Sequence, residues 1–245
     1  MIISVINHSN GKVSDDELQR VIRAVNRQIA EDFAPYWGFG AKLRLEGRSE
    51  KKPTERTLAD MRGEAVLYLW DHIDKTVEGY HDKNDRGIPF GYIFLDLSDQ
   101  LNEPWSATLS HEALELIGDP ENNLYALGPH PEDRRRKVFH WFEMCDAVQA
   151  EYYEIDHVQV SNFLLPLYFT DGNERGSRND FLGHLHDGKS LASFGANPGG
   201  YIGFYDPQKK DDGEYYGHDD ERAAHRLQVK QKATVRRSIR RLRAF

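Results

Sequence analysis

Residues 105–118, WSATLSHEALELIG, leave a folded chain few options. On a helical wheel, Thr108, His111, Glu112 and Glu115 fall in one stripe about 100° wide. The rest of the wheel carries Leu109, Ala113, Leu114, Leu116 and Ile117, and the stripe contains neither Lys nor Arg. A surface helix carries a broad polar face of mixed charge. This one is apolar nearly all round, so it must be covered on most sides, and its narrow stripe is expected to line an internal cleft. Two carboxylates and an imidazole buried together are costly unless something positive joins them. A divalent cation would meet that need.

The spacing supports the same reading. His111 and Glu115 stand one helical turn apart and can converge on one metal through nitrogen and oxygen. Glu112, next to the first ligand, is placed to take a proton from water activated there. The arrangement is that of H-E-x-x-H with a carboxylate for the second imidazole. That exchange lowers the net charge at the metal by one unit; zinc still fits, and manganese or iron fits better than it would beside two imidazoles. Five residues are few enough to coincide by chance in a chain of this length, and the alternative is an acidic helix face with a hydrogen-bonded histidine.

A third ligand must come from elsewhere. In HWFEMCD (140–146), Glu143 and Asp146 are read as one side of a helix whose other side carries Trp141, Phe142, Cys145 and Val148. Glu143 ranks first as ligand and Asp146 second, with Asp146 also suited to orienting His111. Asp119, between Gly118 and Pro120 where the helix should end, follows as ligand or cap, and His140 is last. The alternative for these acids is ordinary ion pairing with the basic run at 134–137.

The surroundings predict an α+β fold. Residues 3–9 read as a strand, and a capping box of Ser14 and Glu17 opens a helix whose stripe runs Leu18, Val21, Ile22, Val25, Ile29 and Phe33. Strands are expected over 41–47, 64–71 and 87–97, and again over 158–169 with a break at Pro166. Residues 170–217 are rich in Gly, Asp and Asn, which suggests loops with short strands such as 199–205. Cys145, flanked by Met144 and Asp146, lacks the electropositive exposed setting of a nucleophile and reads as a buried structural cysteine. His184 and His186 in the Gly/Asp-rich region read as incidental rather than as a metal pair.

Charge is unevenly distributed. Residues 221–245 hold nine Lys or Arg against Glu221, a tail of +8, so the preceding residues carry −16 within the net −8. Such a tail is expected to be a basic helix that meets nucleic acid, an acidic membrane surface, an acidic partner or the acidic body of its own chain. The lone cysteine, an N-terminus without a basic n-region and the lack of a run of about 20 apolar residues point to a cytoplasmic protein with no membrane span.

Taken together, AVNRQIAEDFAPYWG, GYHD, PFGYIFLD, WSATLSHEALELIGDP, FEMCDAVQAEYY and VSNFLLPLYF resemble a family of zincin-like bacterial and phage-associated proteins. Its members carry S-H-E-x-x-E-x-x-x-D-P followed by E-x-C-D, and the likeness spans residues 3–170. The resemblance implies a zincin-like domain over 1–170: a mixed twisted sheet, an active-site helix, and an edge strand, GYIFLD, to which a peptide substrate could add. A loop-rich extension would occupy 171–220 and the basic helix 221–245. It also implies zinc-dependent peptide hydrolysis, with His111, Glu115 and Glu143 as ligands and Glu112 as general base. Tyr80, His81 and Tyr153 are candidate donors to a developing oxyanion. The rival expectation is a metal-binding interaction module without catalysis.

Overall fold

The computed structural model describes residues 1–54, 56–72, 81–170 and 177–217. Its principal sheet is built from β1 (Ile2–His8), β2 (Lys42–Glu46), β3 (Ala65–Trp70), β4 (Asp82–Lys83) and β5 (Pro89–Phe94) in the order β2-β1-β3-β5-β4. Four of these strands are parallel and β4 runs antiparallel to β5, so the sheet is mixed and the protein is of the α+β class.

Burial explains the choice of residues in β3. All six are buried, which a parallel strand covered on both faces requires. Alternate side chains enter different cores: Ala65, Leu67 and Leu69 join Leu18, Ile22 and Leu114, whereas Val66, Tyr68 and Trp70 join Tyr92 and Phe94 across the sheet. The second face is aromatic, with Tyr68 stacked on Tyr92 at 5.2 Å between centroids.

Helix α1 (Asp15–Arg27) begins where its cap is expected, with Ser14 Oγ accepting the Glu17 N–H at 3.2 Å. The apolar stripe continues to Phe33 as predicted, but Gln28–Phe33 widens into a π-helical turn that buries Gln28 along with Ile29 and Phe33. A short α2 (Ala34–Trp37) then ends at Gly38, whose left-handed φ of 74° closes the helix.

Three expectations are corrected. GYIFLD is not the sheet edge: β5 pairs with β3 on one side and β4 on the other, so β4 is the edge among the described residues. Asn84 causes this, because its Oδ1 accepts the N–H groups of Arg86 (2.9 Å) and Ile88 (3.0 Å), and Gly87 completes the tight turn with a φ of 74°. The strand expected to 97 stops at Phe94 and passes into α3 (Leu95–Leu101). Residues 140–148 form no long helix either: a strand reaches Trp141, and only Asp146–Val148 closes a 3-10 turn.

Helix α4 (Trp105–Gly118) lies between β5 and β9 (Val158–Ser161), and the hairpin partner of β9 is β8 (Tyr152–Ile155). Asp156 and His157 link β8 to β9 with φ of 50° and 64°, the paired left-handed backbone of a two-residue hairpin. The remaining sheet is antiparallel in the order β11-β10-β7-β6, from β6 (Tyr125–Pro129), β7 (Lys137–Trp141), β10 (Tyr201–Asp206) and β11 (Asp211–Tyr216). β10 lies beyond residue 170, where an extension is expected, and pairs directly with β7. The expected basic helix at 221–245 falls outside the described residues. Among the described residues no helix is long and apolar enough to cross a membrane.

Candidate metal centre

The all-round burial inferred for α4 is found: every residue from Leu109 to Gly118 is buried. The rotation of the helix is set from behind. Ser110 Oγ donates to Gln28 Oε1 (2.6 Å) and accepts the Ser161 N–H (3.0 Å), while Gln28 Nε2 donates to the Ser161 carbonyl (2.7 Å). Every group in this triangle is matched, so it fixes which residues point the other way. Those are His111, Glu112 and Glu115, with 8%, 8% and 0% of their surface exposed.

Two segments complete the front. The first carries His81, at the start of β4. Gly91 on β5 lets it approach, since a Cβ there would stand 3.3 Å from His81 Cα and 2.7 Å from Leu67 Cδ2. The second is the turn at 143–146, which lies against the end of α4. A Cβ at Gly118 would fall 2.4 Å from Met144 Cε, so any larger residue there must push the Met144 side chain aside. The turn is pinned by the Leu164 N–H to the Met144 carbonyl (2.7 Å) and by the Cys145 N–H to Glu115 Oε1 (3.3 Å).

The side chains then converge. His111 Nε2 is 3.1 Å from Glu115 Oε1 and 3.3 Å from Asp146 Oδ1. His81 Nδ1 is 3.4 Å from Glu112 Oε2 and 3.6 Å from Glu115 Oε2, and its Nε2 is 3.7 Å from Glu143 Oε2. His81 also donates its backbone N–H to Glu112 Oε2 at 3.2 Å. Neither ring nitrogen of His81, nor Glu115 Oε2, forms a hydrogen bond among the described residues. Two groups have ligand atoms within 4.8 Å of one another: His111, Glu115 and Cys145; and His81, Glu115 and Glu143.

The electrostatics follow from packing acids and imidazoles without water. Burial pushes Glu115 up to about 7, reinforced by Asp146, and His111 draws it back only in part. Burial opposes charge on both histidines, but the carboxylates prevail: His81 rises to about 9 through Glu112, Glu143 and Glu115, and His111 rises well above its usual value through Glu115 and Asp146. Without a metal, the cluster therefore retains protons to offset its acids. Burial, with Glu115 behind it, also raises the Cys145 thiol, as expected of a structural cysteine.

Five sequence candidates, His111, Glu112, Glu115, Glu143 and Asp146, meet in this cluster. Asp119 lies at its border. Its Oδ2 accepts the Leu124 N–H at 2.8 Å, the capping role weighed for it. His140 lines a small cavity with Glu143 and Asp146, and its Nε2 donates to the Pro129 carbonyl at 2.8 Å. The basic run is engaged elsewhere, Arg136 with Asp206 and Arg135 with Asp133. Tyr153 commits its hydroxyl to Asp32 Oδ2 at 2.6 Å, which corrects its reading as an oxyanion donor. Tyr80 falls outside the described residues. His81 joins the cluster as well, although its spacing to α4 follows no local period. His186 and His184 meet a different acid, Glu151, at 2.6 and 3.8 Å.

Fold and site thus define an α+β protein with a buried histidine–carboxylate cluster suited to a cation. Comparison with protein-family models, curated proteins and solved structures finds no match.

Proposed function

We propose that the chain is a metal-dependent hydrolase of peptide bonds in a zincin-like fold, with zinc the first metal to test. Glu115 is its central ligand, with His111 on one side and His81 and Glu143 on the other. The observation that carries this reading is a buried meeting of two imidazoles with four carboxylates, in which both ring nitrogens of His81 lack a hydrogen bond among the described residues. Buried polar atoms are nearly always satisfied, so a cluster of this composition fits a cation.

A bound divalent ion supplies the positive charge that polarises a carbonyl and acidifies water. The chain's own residues do the rest. The His81 N–H holds the Glu112 carboxylate in place, and Glu112 takes the proton of the attacking water and passes it to the leaving amine. Glu143 and Asp146 also line a small cavity with Trp141, Tyr168 and Tyr201.

Glu112→Gln should leave metal content intact and lower cleavage at least ~100-fold, measured by comparing peptides released from a proteome by wild type and variant. A fully active variant would refute the assignment. The slight exposure of His111 and Glu112 supports a second reading, a metal-stabilised interaction module. In that case the wild type binds metal and releases no peptides.

A further inference from the structure

We propose that the cluster is built for a pair of divalent cations bridged by Glu115, rather than for a single ion. This rests on the reading of the cluster as a metal centre and extends it. The two carboxylate oxygens of Glu115 address different histidines: Oε1 stands 3.1 Å from His111 Nε2, and Oε2 stands 3.6 Å from His81 Nδ1. That is the posture of a bridging carboxylate. Each imidazole also has acids of its own, Asp146 at 3.3 Å for His111, and Glu112 (3.4 Å) and Glu143 (3.7 Å) for His81.

Distance argues against one shared ion. Donors to a single ion at 2.0–2.2 Å lie at most about 4.4 Å apart. Among the described residues, the groups whose ligand atoms fall within 4.8 Å contain His111 or His81, never both, and Glu115 belongs to each. Two cells sharing one carboxylate describe this layout, and ions held so stand about 3.5–4 Å apart.

Charge leads to the same count. Glu112, Glu115, Glu143 and Asp146 are four carboxylates facing two imidazoles, which are neutral when they bind metal. One divalent cation offsets half of that negative charge, and two offset all of it. The ring nitrogens of His81, on a residue only 1% exposed, and Oε2 of the fully buried Glu115 lack hydrogen bonds among the described residues and lie in the His81 cell. Its oxygen-rich donors suit manganese or iron as well as zinc, and Cys145 Sγ lies within reach of the His111 cell.

The test is to strip the full chain with chelator, dialyse it against Mn²⁺ or Zn²⁺, and measure bound metal per chain. About two ions per chain are expected. One ion overturns the bridged pair and leaves the single-metal reading standing; none overturns both. His81→Gln and His111→Gln should each lower the count to about one while far-ultraviolet circular dichroism stays unchanged. A folded variant that keeps both ions overturns the assignment. With manganese, the wild type should show the spin-coupled multiline resonance of a bridged pair. The spectrum of isolated ions at full loading overturns the proposal without recourse to any variant.

Discussion

Helix α4 carries two buried polar clusters, one on each side, and they differ in completeness. Behind the helix, Ser110, Gln28 and Ser161 satisfy one another through three short bonds. In front, His81 and Glu115 hold buried atoms that no group of the chain satisfies among the described residues, at positions where acids outnumber imidazoles. Both sets are equally removed from water. The back cluster needs only the chain, whereas the front cluster has the composition of a site that something else completes.

The largest test of that contrast is metal itself. Saturation at about 100 times the dissociation constant should stabilise the fold by about 2.7 kcal/mol. For a chain of this size that raises Tm by about 5–10 °C in a thermal scan, and chelator should reverse the gain. Next comes Ser110→Ala, which orphans Gln28 Oε1 and the Ser161 N–H. It should cost about 1–3 kcal/mol for each group left unsatisfied, measured by urea unfolding, with metal stoichiometry unchanged. If metal binding fell as far as stability did, the two sides of the helix would not be separable.

His140 sharpens the contrast among buried imidazoles. His81 and His111 face carboxylates and are pushed up, whereas burial, against only a carbonyl partner, pushes His140 down to about 4 from 6.5. Between those values the unfolded chain binds the proton that the folded chain refuses. Stability is therefore fully present above pH 6.5 and is lost as pH falls toward 4. The loss should be on the order of 3 kcal/mol, and His140→Gln should flatten that part of the stability profile. The smallest effect expected is from Gly118→Ala, where the flexible Met144 side chain can yield. About 1 kcal/mol of stability should go, with weaker metal affinity because the 143–146 turn shifts.

Much of this was legible before any coordinates. The narrow stripe on an apolar helix announced that α4 is buried on all sides, and Ser14 announced where α1 begins. Glu143 and Asp146 were recognised as acids of the site, although their local structure was misread. An apolar run with acids three residues apart suits a helix, but β-pairing of Val138–Trp141 with β6 and β10 takes that segment into a sheet. GYIFLD was misplaced as an edge for a similar reason, because β4 is too short to show as a periodic signal.

What the sequence determined by itself is therefore local. Periodicity decided which faces are apolar, and spacing within a turn put His111 beside Glu115. The tertiary structure alone brought His81 from 31 residues before Glu112 and Asp146 from 35 residues after His111, and it aimed the two oxygens of Glu115 at different histidines. The physical reason is that such meetings depend on parallel pairing of β3 with β5 and on a glycine at 91 and at 118 that lets chains touch, and no local pattern encodes a contact made across a core.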